Sequence, residues 1–499
     1  MTYMGIDIGT SSVRAAIYGE DGSFVSMSQR EYTMISTEVG MAALAPDEVF
    51  EAMLDCIADC VKEAGQAPAA VSFSAAMHSF LVLDDEYKPL TDAFTWGDTR
   101  ADEQARALGA RPDVDALCSA TGCKVSHPLY PCAKILYIKE QQPEIFAKGK
   151  LFATMKQYFI IRLFGQNLVD YSDAGASGLF NIHSFTWDKT IVEDILGIGL
   201  EKLGTLKKCT TELGVMRQDY RERCGLPFTT KFYIGSTDGQ LAHYGCGALD
   251  ETAASSTVGT SGALRAIVNN PPPDAGQNLW CYAFRPGLLL SGGAINNAGL
   301  ALKWLRDEYQ QQFEADAAAR NISLYQLFDQ EAAKIAPGSE GLLFMPLLTS
   351  ERSPDWMIGA SGSMYGLRLG HGRFHIVRAA MEGVMYRMYS VFEVLLRENP
   401  AITKIIANGG YAKSPFWLQM QADIFNREIH VSQVGEASVY GAALLAMCAM
   451  KGQDFPYSLK AAPLTQVYKP NPEAAAVYAK AYQRYKVVYE RIYKDGIAL

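Results

Sequence analysis

Residues 4–12 read MGIDIGTSS, an apolar run with Asp7 next to its end, followed at once by glycine and three hydroxyl residues. The stretch has a partner far along the chain: IGTSSVRAAI from Ile8 is answered by VGTSGALRAIV from Val258, with Thr257 where the first copy has Asp7. Each copy reads as strand, glycine turn, strand. In the first, YMGIDIG is a short apolar strand, VRAAIYG alternates as a second, and an Asp-Gly turn leads to SFVSM. Rossmann and P-loop phosphate sites instead run from a strand through glycines into a helix, as GxGxxG or GxxxxGK[ST], and neither string occurs here.

A glycine turn between two strands exposes backbone N–H groups, and the hydroxyls of Thr10, Ser11 and Ser12 add donors, which suits phosphate oxygens. Two such turns facing each other across a cleft between domains are expected to hold a polyphosphate from both sides. Asp7 then has a role that Thr257 need not share, because magnesium bridging phosphates takes one or two carboxylates and keeps several waters. Ordinary tight turns favour the same residues. Duplication with loss of one carboxylate favours the phosphate reading.

The rest of the chain bounds the answer. Its 499 residues, about half apolar and one-fifth charged, suit two domains rather than one core. The division is expected after Gly247, giving domains 1–247 and 248–499, and the repeated turn makes the two halves related folds. A net charge of -9 speaks against nucleic-acid binding or attachment to a membrane surface. MTYMGID has no basic leader, and no uncharged stretch reaches membrane-spanning length, so the chain reads as cytoplasmic. Ten scattered cysteines without a CxxC pair read as buried, reduced thiols. His371 and His375 have the spacing of a helical metal pair but no HExxH around them, so no metal is expected there.

Several segments carry chemistry. Residues 46–65 form an amphipathic helix, with Pro46 in its first turn, Val49, Met53, Cys56, Ile57 and Cys60 on one face and Gly65 as its stop. The strand AAVSFSA delivers Met77 and His78, and TWGDTR follows at another strand end, where α/β proteins place ligands. Trp96 suits stacking on a sugar chain and Asp98 suits accepting hydroxyls, although Trp96 also reads as core. His78 is a ligand or a satisfied core histidine. KFYIGSTDGQLAHYG runs from strand into helix at Asp238, which is either an N-cap or a carboxylate placed to accept a hydroxyl proton. KIIANGGYAKSPFWLQMQADIF runs strand, Gly409-Gly410, then Ser414 as N-cap and Pro415 at N1.

These strings together resemble the FGGY carbohydrate kinases, of the actin, hexokinase and Hsp70 ATPase-domain superfamily, over essentially the whole chain. GIDIGTSSVR is similar to the family's first phosphate motif, STVGTSG to its second and ANGGYAKSPFWLQMQADI to its adenosine motif; residues 362–382 are similar to its C-terminal signature. YPCAKILYIKEQ departs at Tyr137, where a tryptophan is usual. The resemblance implies an α/β fold of two RNase H-like domains flanking a deep cleft, with ATP and Mg2+ as cofactors. It implies Asp238 as catalytic base and Asp7 as the metal-associated carboxylate. Thr10, Ser11, Ser12 and Arg14 are implied as one phosphate clamp, Gly259 and Thr260 as the other, and Gly299, Lys303, Gly410 and Ser414 as the nucleotide wall.

Met77 and His78 match the substrate pair of xylulose-type members. VSFSAAMHSF, CYAF, SHPLYP and GGAINNAGLALKWLRDEY are most similar to members acting on gluconate. That adds His127, Asn296 and Asn297 to the substrate contacts. His78, His127 and Lys156 are candidates to meet the sugar acid's carboxylate. The expected partner is a small sugar acid or polyol, with no nucleic acid and no membrane, and a homodimer stays open. Another polyol such as xylulose, ribulose or glycerol remains an alternative, as does an actin-like ATP-dependent sugar sensor that phosphorylates nothing.

Overall fold

Residues 1–357, 359–459 and 464–494 are described by a computed structural model. The chain forms two compact units. The first comprises Met1–Leu249, Val268–Leu290 and Glu436–Ala461; the second comprises Asp250–Ile267, Ser291–Gly435 and Ala462–Leu499.

In the first unit five strands lie in the spatial order Phe24–Glu31, Ser12–Gly19, Thr2–Ile8, Ala70–Ala75, Lys231–Thr237. The first three pair antiparallel and the last two join in parallel. In the second unit the order is Leu288–Ile295, Gly262–Val268, Ala253–Val258, Lys404–Asn408, Glu428–Ser432, with Leu464–Tyr468 added at the edge. The two sheets repeat one topology, and the duplicated glycine turn occupies the same corner in each. Asp7 lies opposite Ser74 across a parallel pair, as Thr257 lies opposite Asn408. This is the two-domain α/β fold of RNase H-like type that the resemblance implied.

Strand Thr2–Ile8 is buried on both faces, and its period of two sorts its side chains. Met4, Ile6 and Ile8 enter a core shared with Val49, Phe50, Met53, Ile57 and Cys60 of the helix Pro46–Ala64. That helix ends on Gly65 at φ 65°, as its sequence predicts. Gly5 and Asp7 point the other way, toward the helix Ala437–Met450, which packs on this strand and on the helix Asp238–Gly245. Three glycines make that approach possible. A Cβ on Gly5 would stand 1.9 Å from the Val439 carbonyl oxygen, one on Gly245 1.9 Å from that of Ala437, and one on Gly441 2.1 Å from that of Leu241.

All ten cysteines are buried thiols, and burial pushes Cys132 up to about 12. The imidazoles of His371 and His375 accept backbone N–H groups from Arg368 and Gly372, and no cluster of three metal-ligating side chains occurs among the described residues. Among the described residues no helix is long and apolar enough to cross a membrane.

Gly5→Ala is expected to force the helix Ala437–Met450 off the sheet and to destabilise the protein by about 1–3 kcal/mol, as overpacking does. Urea denaturation measures this as a lowered midpoint at unchanged slope.

Candidate functional site

The first glycine turn closes with the Gly9 N–H donating to the Ser12 carbonyl at 3.0 Å. Its tip carbonyls are drawn away from the opening: the Tyr32 hydroxyl donates to Gly9 at 2.6 Å and the Tyr32 N–H to Ser11 at 3.2 Å. Thr10 is half-buried and Ser11 exposed. Behind the turn Asp7 is buried, accepting hydroxyl bonds from Ser74 at 2.6 Å on one oxygen and from Ser438 at 2.9 Å on the other. Arg14 stands 3.9 Å from Asp7 and 3.6 Å from Glu436, and donates to Gln29. Ser12, by contrast, is buried in the adjoining strand.

The second turn is built alike. Gly259 N–H donates to Ser261 at 2.9 Å, and its tip carbonyls accept from the start of the helix Gly299–Glu308: Gly259 from Gly299 at 2.9 Å, Thr260 from Leu300 at 3.1 Å. Gly299 is required by this contact, since a Cβ there would sit 2.5 Å from the Gly259 carbonyl oxygen. Thr257 takes the place of Asp7 and donates to Asn408 at 2.6 Å, an uncharged pair. In both units, then, the carbonyls of the tip are occupied from behind. N–H and hydroxyl donors remain at the exposed end, the polarity an anion requires.

Beside the second turn lies a cavity of about 600 Å³, lined by Gly259, Gly299, Lys303, Asp329, Gly410 and Ser414 among others. Its size is that of a small-molecule or cofactor site. All four expected wall residues are brought together there. Ser414 caps the helix Pro415–Phe425 by accepting the Trp417 N–H, as its sequence predicts, and donates to Asp329 at 2.6 Å. Burial raises the Asp329 carboxyl, with the Ser414 hydroxyl opposing. Lys303 is exposed, pairing with Asp307 one turn on.

Asp238 is the first residue of its helix; Thr237 takes the cap position. Its Oδ1 accepts the N–H of Gly239 at 2.7 Å and of Met77 at 3.4 Å, 161 residues away in sequence. The carboxylate and the Met77–His78 loop therefore meet. His78 adopts φ 66°, a left-handed conformation costly for a residue with a Cβ, and is buried against the rings of Tyr130 and Tyr282. Its Nδ1 lies 2.6 Å from the Ala176 carbonyl, which only accepts, so Nδ1 carries a proton. The half-buried His127 is the converse: its Nδ1 accepts the Leu129 N–H at 3.1 Å, which in the neutral ring puts the proton on Nε2.

Four expected acceptor contacts, Asp98, Lys156, Asn296 and Asn297, are paired within the protein. Asp98 is fully buried, and its oxygens accept from Ala42, the Arg100 N–H and the Arg100 guanidinium, so it anchors the loop that leaves Trp96 43% exposed. Lys156 is buried with its ammonium 2.6 Å from Asp170. Burial opposes that charge, and the carboxylates of Asp170 and Asp173 outweigh burial and raise its pKa. Burial also pushes Asp173 up to about 6. Asn296 and Asn297 spend their amides on the segment 349–352: Asn296 donates to the Ser350 carbonyl and accepts from Arg352, and Asn297 accepts from Thr349. Composition and spacing carry no sign of these pairings, which join residues distant in sequence.

Ser74, Ser438, Asp329 and Ser172 are site residues the sequence reading did not single out. Ser172 accepts the Thr237 N–H at 3.0 Å and so fixes the residue before Asp238; it is itself bonded to Asp170. Each acts through a contact between distant segments, and of the four only Ser74 stands in a string quoted for the family resemblance, VSFSAAMHSF.

Residues 2–245 match the N-terminal domain of the FGGY family of carbohydrate kinases and residues 254–450 its C-terminal domain. A gluconokinase of Bacillus licheniformis is 34% identical over 481 residues, covering 96% of this chain and 93% of its own. The solved gluconate kinase from Lactobacillus acidophilus superposes with a TM-score of 0.92 at 31% identity, over 98% of both chains. The ligand-bound xylulose kinase from the same organism gives 0.92 at 30%, over 99% of this chain and 98% of its own.

Gly299→Ala displaces the second turn from its backing. Binding of a non-hydrolysable ATP analogue, measured by calorimetry, is expected to weaken about tenfold or more, the order that small misplacements cost.

Proposed function

The chain belongs to the FGGY family of carbohydrate kinases, an ATP-dependent sugar kinase by that membership, and we infer that its acceptor is D-gluconate, phosphorylated at the 6-hydroxyl to 6-phospho-D-gluconate. The gluconate acceptor is supported by the 34% identity to a gluconokinase, and the kinase chemistry by the meeting of Asp238 with the Met77–His78 loop. There a carboxylate held by backbone N–H groups stands beside groups suited to a polyol acid.

In this reading residues 1–247 supply the acceptor site and the first phosphate turn, and residues 248–499 the second turn and the adenosine cavity. Asp238 accepts the proton of the 6-hydroxyl as that oxygen attacks the γ-phosphorus in line. Phosphoryl transfer asks little covalent chemistry of a protein, so positioning and charge stabilisation supply most of the rate. Thr10 and Ser11 donate to phosphate oxygens at one turn and Thr260 at the other, where Gly259 leaves open space beside the tip. His78 and His127 border the acceptor's hydroxyls and carboxylate. Trp96 covers the carbon chain.

Asp7 fits a Mg2+ ion held mainly by phosphates and water. It is one carboxylate, each oxygen already accepts a serine hydroxyl, and among the described residues no further cluster of ligands exists. When bound, the ion neutralises charge on the transferred group. The serines hold the carboxylate in place.

A ketose acceptor is the second reading, favoured by the equal structural likeness to a xylulose kinase. ADP release measured side by side with D-gluconate and D-xylulose separates the two: a higher kcat/KM on gluconate is expected, and the reverse order assigns the ketose. Asp238→Asn is expected to lower kcat about a hundred- to ten-thousandfold with unchanged circular dichroism, the range of a general base. Near-normal turnover removes Asp238 from that role.

A further inference from the structure

We propose that Lys134 is a positioning residue for the acceptor, its ammonium clamping together the three loops that carry His78, Trp96 and His127. Lys134 lies in the first turn of the helix Pro131–Gln141 and is fully buried. Its Nζ donates to the carbonyls of His78 at 3.2 Å, Thr95 at 2.8 Å and Leu129 at 2.8 Å. The three acceptors come from three separate loops. One belongs to His78 itself, one precedes Trp96, and one lies two residues beyond His127.

An ammonium has three N–H donors diverging from one point, and all three are used. A neutral amine has two and would leave one carbonyl unpaired. Burial pulls this ammonium down to about 7, opposed by the fully buried Asp98 on the Thr95–Arg100 loop; Arg100 on that loop is spent on Asp98 and Glu38. Burying such a charge is costly, and an apolar residue here would leave three buried carbonyls without a donor. The backbone bridge between Phe80 and Phe94 already ties the His78 and Trp96 loops, and the ammonium fixes the His127 loop to that pair. The helix Pro131–Gln141 gives the clamp a rigid base. The same loop set displays its tips: Trp96 is 43% exposed, while its neighbour Asp98 is locked beneath.

The proposal rests on placing the acceptor at these loops but not on which sugar it is. Lys134→Met and Lys134→Arg are assayed with whichever acceptor the wild-type enzyme phosphorylates. In Lys134→Met, kcat/KM for the acceptor is expected to fall about ten- to a hundredfold, carried by KM, the order that misplaced substrate contacts cost. KM for ATP should stay within about twofold, since only acceptor binding is touched. Lys134→Arg, which keeps the charge and part of the bonding, should recover part of the loss. An acceptor KM unchanged in Lys134→Met, or equal losses for acceptor and ATP, overturns the clamp.

Hydrogen exchange on the wild-type protein tests it without a substitution. Amides of residues 78–80, 95–98, 127, 129 and 130 are expected to exchange through one common opening and to be protected together when acceptor is added. Independent exchange of the three loops overturns the clamp alone. Acceptor protection that misses all three overturns the placement of the acceptor on which it rests.

Discussion

In the first unit, backbone lies against backbone where the helix Ala437–Met450 meets the strand Thr2–Ile8 and the helix Asp238–Gly245. Gly5, Gly245 and Gly441 remove the Cβ atoms that would hold the elements apart. The closeness has a chemical consequence, because it brings Ser438 to the carboxylate of Asp7, 431 residues away. Glycines that lose much conformational freedom on folding are a cost, and closing so long a loop adds to it slowly. The return is a strand buried on both faces whose last inward group is a carboxylate held from two sides.

The two units share a strand order and a corner turn, and they diverge at one position. Where the first has a charged acceptor fixed by serine hydroxyls, the second has a hydroxyl donating to an amide. The same scaffold thus serves two electrostatic purposes. Both turns have their tip carbonyls occupied from behind, by Tyr32 in one unit and by the start of the helix Gly299–Glu308 in the other. Different elements thereby reach one end, a turn that shows donors outward.

The Asp238 and Trp96 segments of the first unit are supported by buried charge. Lys156 pairs with Asp170, which accepts the Ser172 hydroxyl; Ser172 in turn accepts the N–H of Thr237, the residue before Asp238. The strand leading there bends at Gly235, φ 79°, where any Cβ would stand 1.8 Å from the Phe73 carbonyl oxygen. Asp98 does for the Trp96 loop what Asp170 does for Asp238. Such groups are expensive to bury; Asp98 and Asp170 are each matched by several hydrogen bonds, and Lys156 by the opposite charge of Asp170. Single removal of any one leaves its partners unsatisfied.

Local rules settle much of this protein in advance. Apolar alternation marks the strands at the glycine turns, the spacing of Val49, Met53, Ile57 and Cys60 marks the helix that covers them, and Ser414-Pro415 marks a helix start, because each depends only on residues a few positions apart. The repeated turn, with its carboxylate retained once, is equally legible. What folding alone decided is which polar side chains face a ligand and which face each other. Asp98, Lys156, Asn296 and Asn297 carry the right chemistry for an acceptor, yet their partners lie on other segments that approach only in the folded chain. Sequence specifies donors and acceptors. Their pairing over tens to hundreds of residues is set by sheet order and by the close packing that glycines permit.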